Sequence, residues 1–194
     1  MARAATASLE SYSRTQEWVK QGAIVIGASL FVALCARITL PLPFTPVPLT
    51  LQNFGVLAVG LTLGSRRGFA ALAVYLMEGA SGLPVFSPSV LGLHGVAQIL
   101  GPTGGFLMAY PFVAFAAGLI YERTSRNFLW ATLAGFSGEI VLFVGGLSWL
   151  AVLTHSWSLA IKYGLYWFVF AEVIKILMAA VVGERGRKWL SLKA

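Results

Sequence analysis

The 194-residue chain is 58% hydrophobic and 11% charged, with a mean hydropathy of +0.80 and a formal charge of +7. A water-soluble globule of this make-up has too little polar surface to cover its core, so the composition points to a bilayer. The positive charge does not signal nucleic acid, because the basic residues are spread between apolar spans rather than gathered on one face; the single cysteine, Cys35, excludes an intrachain disulfide and a cysteine-based zinc site.

In chain order, residues 1–20 are too polar, and lack the apolar stretch, for a cleaved signal peptide. They read as a cytoplasmic tail without fixed structure, with Leu9, Tyr12 and Trp18 as the apolar face of an interfacial helix in the alternative. Six apolar spans follow, near 21–40, 49–64, 68–82, 105–121, 128–153 and 159–182, each bounded by Pro, Gly or charge. The expected fold is therefore an all-α integral membrane protein of six transmembrane helices, one domain over 21–183, with a basic cytoplasmic tail over 184–194. Several spans are shorter than the ~20 residues that cross hydrocarbon untilted. Short or Gly/Pro-broken spans in a bundle often line a cavity, because irregular backbone at membrane depth needs protein or water to satisfy it.

Lys and Arg set the orientation. Arg3, Arg14 and Lys20 precede the first span, Arg66 and Arg67 follow the second, Arg123 and Arg126 follow the fourth, and Arg185, Arg187, Lys188 and Lys193 follow the sixth. The alternate connections, "PLPFTPVP", the 83–104 loop and "THSWS", carry none. Both termini are thus expected in the cytoplasm, and the same alternation supports the count of six.

Six charges remain inside the spans: Arg37, Glu78, Glu139, Lys162, Glu172 and Lys175. Arg37 and Lys162 sit near outer span ends, where long stems snorkel to the interface. Glu139 reads equally as a binding group or as a carboxyl packed between helices. Glu78, near the outer end of the third span, is a candidate for lining an outward cavity. Glu172 and Lys175, one turn apart and deep in the sixth span, differ from the rest. Each charge at mid-membrane costs roughly 2.5–3.5 kcal/mol on insertion scales, and i,i+3 spacing lets the two pair on one face. They read either as a self-neutralising structural pair or as a site for a polar ligand.

Some chemistry is excluded. "GPTGGFLMA" has glycines but no P-loop lysine, so the chain does not hydrolyse ATP by itself. Both histidines, His94 and His155, lie in outward loops, and no Ser/His or His/Glu metal constellation falls within a span. No enzymatic activity, cofactor or metal is expected. A small bundle with a Gly/Pro-structured outward mouth and a few buried polar groups suits small-molecule binding.

Four blocks in order, "TPVPLTLQNFGVLAVGLTLG", "YLMEGASGLPVF", "GPTGGF" and "AEVIK", resemble the BioY family, the biotin-specific substrate-binding (S) subunits of energy-coupling-factor (ECF) transporters, over about residues 28–182. The resemblance implies an ECF S-component-like bundle in the bacterial inner membrane. Its outward biotin pocket would be capped by the first loop and the long third-to-fourth loop. It also implies partners: a transmembrane coupling (T) subunit and a pair of ATP-binding-cassette ATPases. It places Gln52, with Asn53 beside it, and Glu172 and Lys175 in the pocket, and gives Gly104 and Gly105 the role of letting backbone approach the ligand. Biotin has a ureido ring, an apolar thioether ring and a carboxylated chain. Gln52, Glu78 and Glu172 suit the ureido, Tyr75, Phe86 and Tyr110 the rings, and Lys175 the carboxylate; the reverse orientation exchanges the roles of Gln52 and Lys175. The family commonly has aspartate at Glu172 and tyrosine at Phe106, so local contacts are expected to differ. Ser29, Ala33 and Ala36, with small-xxx-small spacing on the first helix, suit either contact with the coupling subunit or internal packing. The other functions consistent with the residues are binding of another small vitamin, and a structural or enzymatic membrane role in which Glu172 and Lys175 merely pair.

Overall fold

The computed structural model describes the backbone of residues 2–191 and the side chains of 15–187. Helix α1 runs from Ala2 to Arg37. Residues 2–20 are therefore helical and continuous with the first span, in place of a tail without fixed structure; the side chains of Leu9 and Tyr12 lie outside the described ones. Facing α2 and α3, α1 buries Ala28, Ser29, Val32, Cys35 and Ala36 at three- and four-residue spacing, while Ile26, Leu30 and Leu34 stay exposed.

A two-stranded antiparallel ribbon, β1 (Thr39–Leu40) with β2 (Leu49–Thr50), closes the first loop. Between them Pro41, Pro43, Pro46 and Pro48 fix φ and withdraw N–H donors, so the loop is stiff yet forms no further ladder. It is held down by Thr45, whose hydroxyl donates to the Tyr163 carbonyl at 2.7 Å, and by Phe44 against Trp167 at 4.4 Å between ring centroids.

Helices α2 (Gln52–Leu63) and α3 (Ser65–Ala80) meet at a single residue, Gly64, with φ +88°. No side chain fits there, since a Cβ would lie 1.9 Å from the Glu122 carboxylate. That carboxylate accepts from the Ser65 amide (3.1 Å) and hydroxyl (2.7 Å), capping α3. The connection to α5 contains only the one-turn α4 (Val96–Ile99), and its backbone is anchored at three consecutive carbonyls: Val85 by Tyr75 (2.9 Å), Phe86 by Arg37 (3.1 Å) and Ser87 by Gln98 (2.8 Å). Arg37 thus clamps the long loop instead of only snorkelling.

Helices α5 (Gly104–Glu122) and α6 (Phe128–Thr154) form the most extensive helix contact among the described residues. Small residues allow it: a Cβ on Gly145 would meet Ala109 at 2.9 Å, and one on Gly146 would meet the Phe106 ring at 2.1 Å. Helix α6 is capped by Asn127, which accepts from the Trp130 amide at 3.0 Å. The expected sixth span is two helices, α7 (Trp157–Gly164) and α8 (Val169–Ser191), bent by 52°.

Thr15–Arg37, Gly104–Glu122 and Phe128–Thr154 are each long and apolar enough to cross a bilayer, and α7 with α8 passes as a bent pair. Helix α2, with 12 residues, is ~18 Å long, well short of the ~30 Å hydrocarbon layer. The surface carries large apolar side chains, with Phe170 84% and Leu34 69% exposed, while Gln52, Asn53, Glu139, Glu172 and Lys175 are buried. Only a hydrocarbon surrounding stabilises that distribution.

Candidate ligand-binding site

Residues that the chain separates by more than 100 positions meet at the start of α2. The first loop feeds directly into that helix, so Gln52 and Asn53 occupy its first turn and project inward, 1% and 3% exposed. On α8 the residues Glu172, Lys175, Ile176, Ala179 and Ala180 share the buried face, which turns both charges toward α2.

The Asn53 amide nitrogen donates to two carboxyl groups: to Glu172 Oε2 at 2.7 Å and to Glu139 Oε1 on α6. The other oxygen of Glu172 accepts from Lys175 Nζ at 2.7 Å. Four polar side chains on three helices thus form one chain, Glu139–Asn53–Glu172–Lys175. Beside it, Gln52 Nε2 donates to the Tyr75 hydroxyl at 2.9 Å, and that hydroxyl donates onward to the Val85 carbonyl of the long loop. Among the described residues Asn53 Oδ1 and Glu139 Oε2 are buried without a hydrogen-bond partner. Lys175 has further N–H groups beyond the one it gives Glu172. An unsatisfied acceptor and an incompletely used ammonium side by side are what a ligand with its own donors and acceptors completes.

Gln52, Asn53, Glu172 and Lys175 border a cavity of about 50 Å³, with Glu139 behind Asn53 and outside its lining. Val47 and Pro48 of the first loop and Ser87 of the long loop roof it, while Phe106, Tyr110 and Phe168 supply aromatic walls.

Of the residues expected at the site, Gln52, Asn53, Tyr110, Glu172 and Lys175 line the cavity, and Tyr75 stands one hydrogen bond behind Gln52. Phe86 lies edge-on to Tyr75 at 5.4 Å, with its ring in the notch left by Gly79; it supports the site from outside the cavity. Glu78 is elsewhere, accepting from the Ser29 hydroxyl at 3.1 Å between α3 and α1. Gly104 and Gly105 also lie off the cavity lining. A Cβ on Gly104 would meet the Ile99 carbonyl oxygen at 1.6 Å, and one on Gly105 would meet Trp149 Cβ at 2.3 Å, so close helix packing accounts for both glycines. Ser29 and Ala36 are fully buried within the chain and Ala33 half-buried, which fits the internal-packing alternative; α1 presents Leu30 and Leu34 outward instead. Sequence reasoning does not reach Val47, Pro48, Thr50, Ser87, Thr103, Leu107, Leu142, Gly164 and Phe168, and leaves Glu139 open between two roles. Its isolation in an otherwise apolar span was the available signal.

Apolar outer faces, a polar chain buried between helices and loops folded over it define a multi-pass membrane protein with a binding site for a small polar molecule. The chain belongs to the BioY family, whose profile matches residues 5–192. It is 36% identical over 166 residues to the biotin transporter BioY of Thermotoga maritima, covering 84% of this chain and 95% of that protein. It is 36% identical over 159 residues to the probable biotin transporter BioY of Pyrococcus horikoshii, covering 81% and 91%. The fold matches a solved S-component for biotin from an ECF-type ABC transporter with a TM-score of 0.79 and 27% identity, over 89% of this chain and 93% of that one.

Proposed function

We propose that the chain is the biotin-binding S subunit of an ECF-type transporter in the bacterial plasma membrane, a six-span protein with both termini cytoplasmic that captures biotin from outside. Import would then be driven by a T subunit and an ABC-type ATPase pair. Family membership supports this reading, as does the absence of a P-loop lysine in "GPTGGF", which leaves ATP chemistry to other chains.

The observation that carries the ligand assignment is the Glu139–Asn53–Glu172–Lys175 chain with its unfilled hydrogen-bond capacity. A ureido group offers two N–H donors and one carbonyl. Asn53 Oδ1 and Glu172 are acceptors for the donors, and Lys175 and Gln52 carry N–H groups for the carbonyl. The Lys175 ammonium is already paired with Glu172, so no free cationic charge is left over for a ligand anion. The geometry therefore favours the ureido at this cluster and the carboxylated chain toward the loops, the reverse of assigning Lys175 to the carboxylate. Phe106, Tyr110 and Phe168 are then the walls for the thioether ring.

Calorimetry on the detergent-purified protein tests this. Lys175→Ala is expected to weaken biotin binding of the folded protein by about 10- to 100-fold, the range for losing a hydrogen bond to a charged group, and to lower its thermal midpoint because buried Glu172 loses its partner. Biotin methyl ester, which keeps the ureido and lacks the negative charge, is expected to bind within about tenfold of biotin. Tight binding of biotin by Lys175→Ala removes the site assignment; loss of the ester's binding with retention of a ureido-modified analogue restores the opposite orientation.

A further inference from the structure

At the opposite end of the bundle from the cavity, a groove of about 380 Å³ opens on the outer face between α3 and α5. Its floor is set by close helix approach: a Cβ on Gly68 would meet Ala114 Cβ at 3.4 Å, and one on Gly118 would meet the Ser65 amide nitrogen at 2.5 Å. Because the two helices are that near, their larger side chains are pushed outward. Phe69 stands edge-on to Phe112 at 5.6 Å and to Phe115 at 6.4 Å, and all three rings keep an exposed face. The fourth lining residue is Arg66, one turn before Phe69, with Arg67 beside it.

The charge around the groove has one sign. Arg66 and Arg67 are exposed and make no hydrogen bond or ion pair among the described residues. The nearest acid along these helices, Glu122, is engaged by Ser65 and by Arg187, whose Nη2 reaches it at 3.3 Å. The groove thus offers the Arg66 guanidinium at the bundle end, with exposed Arg67 next to it outside the lining, and, from there along α5, phenyl surface at residues 115 and 112. A guanidinium presents paired donors to a phosphate, and rings in hydrocarbon offer packing surface to an acyl chain. The order of the two, cation at the end and aromatics deeper, is the order of headgroup and chain in a lipid.

We propose that this groove binds an anionic phospholipid, its phosphate on Arg66 with the charge of neighbouring Arg67 adding to the attraction, and one acyl chain across Phe69, Phe112 and Phe115. The occupant is a lipid rather than a protein helix because the groove combines one aromatic notch with an unpaired cationic end. Neither feature belongs to the biotin site, and the proposal does not depend on that reading.

Native mass spectrometry of the full-length protein tests it, after exchange into detergent with matched phosphatidylglycerol and phosphatidylcholine. The wild type is expected to retain phosphatidylglycerol in preference to phosphatidylcholine, by about fivefold for each arginine at ~1 kcal/mol. Arg66→Gln with Arg67→Gln is expected to reduce retention of phosphatidylglycerol to the phosphatidylcholine level, whereas Phe112→Ala with Phe115→Ala lowers retention of both. Inorganic phosphate at millimolar concentration should not displace the lipid, since it lacks the chain. Biotin titration of each variant reports that it is folded. Equal retention of the two lipids by wild type, an undiminished preference in the double glutamine variant, or displacement by phosphate alone overturns the proposal, as does a stoichiometric polypeptide that protects Phe112 and excludes the lipid.

Discussion

Asn53 holds two carboxyl groups with one amide nitrogen, and this sets what each neighbour is free to do. Without it, Glu139 and Glu172 lose their shared donor inside an apolar bundle, where a buried acceptor left unmade costs ~1–3 kcal/mol. Asn53→Ala is therefore expected to weaken biotin binding by about 10-fold or more and to lower the thermal midpoint in detergent. A double-mutant cycle with Glu139→Gln should show coupling of ~0.5–3 kcal/mol, because the two residues act through one bond. Strict additivity in that cycle would remove Glu139 from the network. At this scale the sequence was legible where depth alone decided: Glu172 and Lys175 are costly in the middle of a span and had to be paired. Glu78 is a carboxylate of the same kind, but its partner Ser29 lies 49 residues away on a helix whose inward face no local pattern announced. Its place in a helix contact instead of the cavity was therefore not readable.

Helix packing explains the "GPTGG" turn better than ligand approach does. Glycine has two uses, a close backbone approach and an unusual φ, and neither Gly104 nor Gly105 has positive φ. What a side chain on Gly105 would strike is Trp149 and the Gly145 carbonyl oxygen, at 2.3 and 2.6 Å. Gly105→Ala is thus an overpacking change in the α5–α6 contact, expected to destabilise by ~1–3 kcal/mol. The folded fraction should bind biotin with unchanged affinity. A variant of wild-type stability with weakened binding would return the glycine to the ligand. Element boundaries were legible wherever Pro, Gly or charge bounded a span, as for α5 and α6, which match the expected 105–121 and 128–153 to within one residue at each end. The 52° break between α7 and α8 was not. It falls in "LYWF", apolar residues that continue a span as readily as they interrupt it, and its partners Thr45 and Phe44 come from the first loop.

Across the whole molecule, the loops over the cavity are the parts expected to decide when the site opens. The cavity of about 50 Å³ holds a few waters, whereas pockets that enclose drug-sized ligands run to ~300–1,000 Å³. Biotin therefore fits only if something yields. The helices on either side are locked by contacts such as Gly105 on Trp149, and the long loop is anchored through Val85, Phe86 and Ser87 to three separate side chains. The first loop has fewer ties. Its proline-rich segment supplies Val47 and Pro48 to the roof and is fastened to α7 and the α7–α8 bend by one hydroxyl bond, Thr45 to Tyr163, and one aromatic contact, Phe44 to Trp167. The first loop is accordingly the one expected to lift, swinging from the β1–β2 ribbon. Phe44→Ala removes an aromatic contact of ~0.5–1.5 kcal/mol that holds only the closed state. Stopped-flow tryptophan fluorescence should then show the association and dissociation rates for biotin both rising by about 2- to 12-fold, the same free energy expressed as a rate. Tyr75→Phe, which frees the Val85 carbonyl of the long loop, is expected to accelerate association less, because Arg37 and Gln98 still hold the neighbouring carbonyls. If Tyr75→Phe speeds association and Phe44→Ala does not, the long loop is the moving lid and the first loop is the fixed rim.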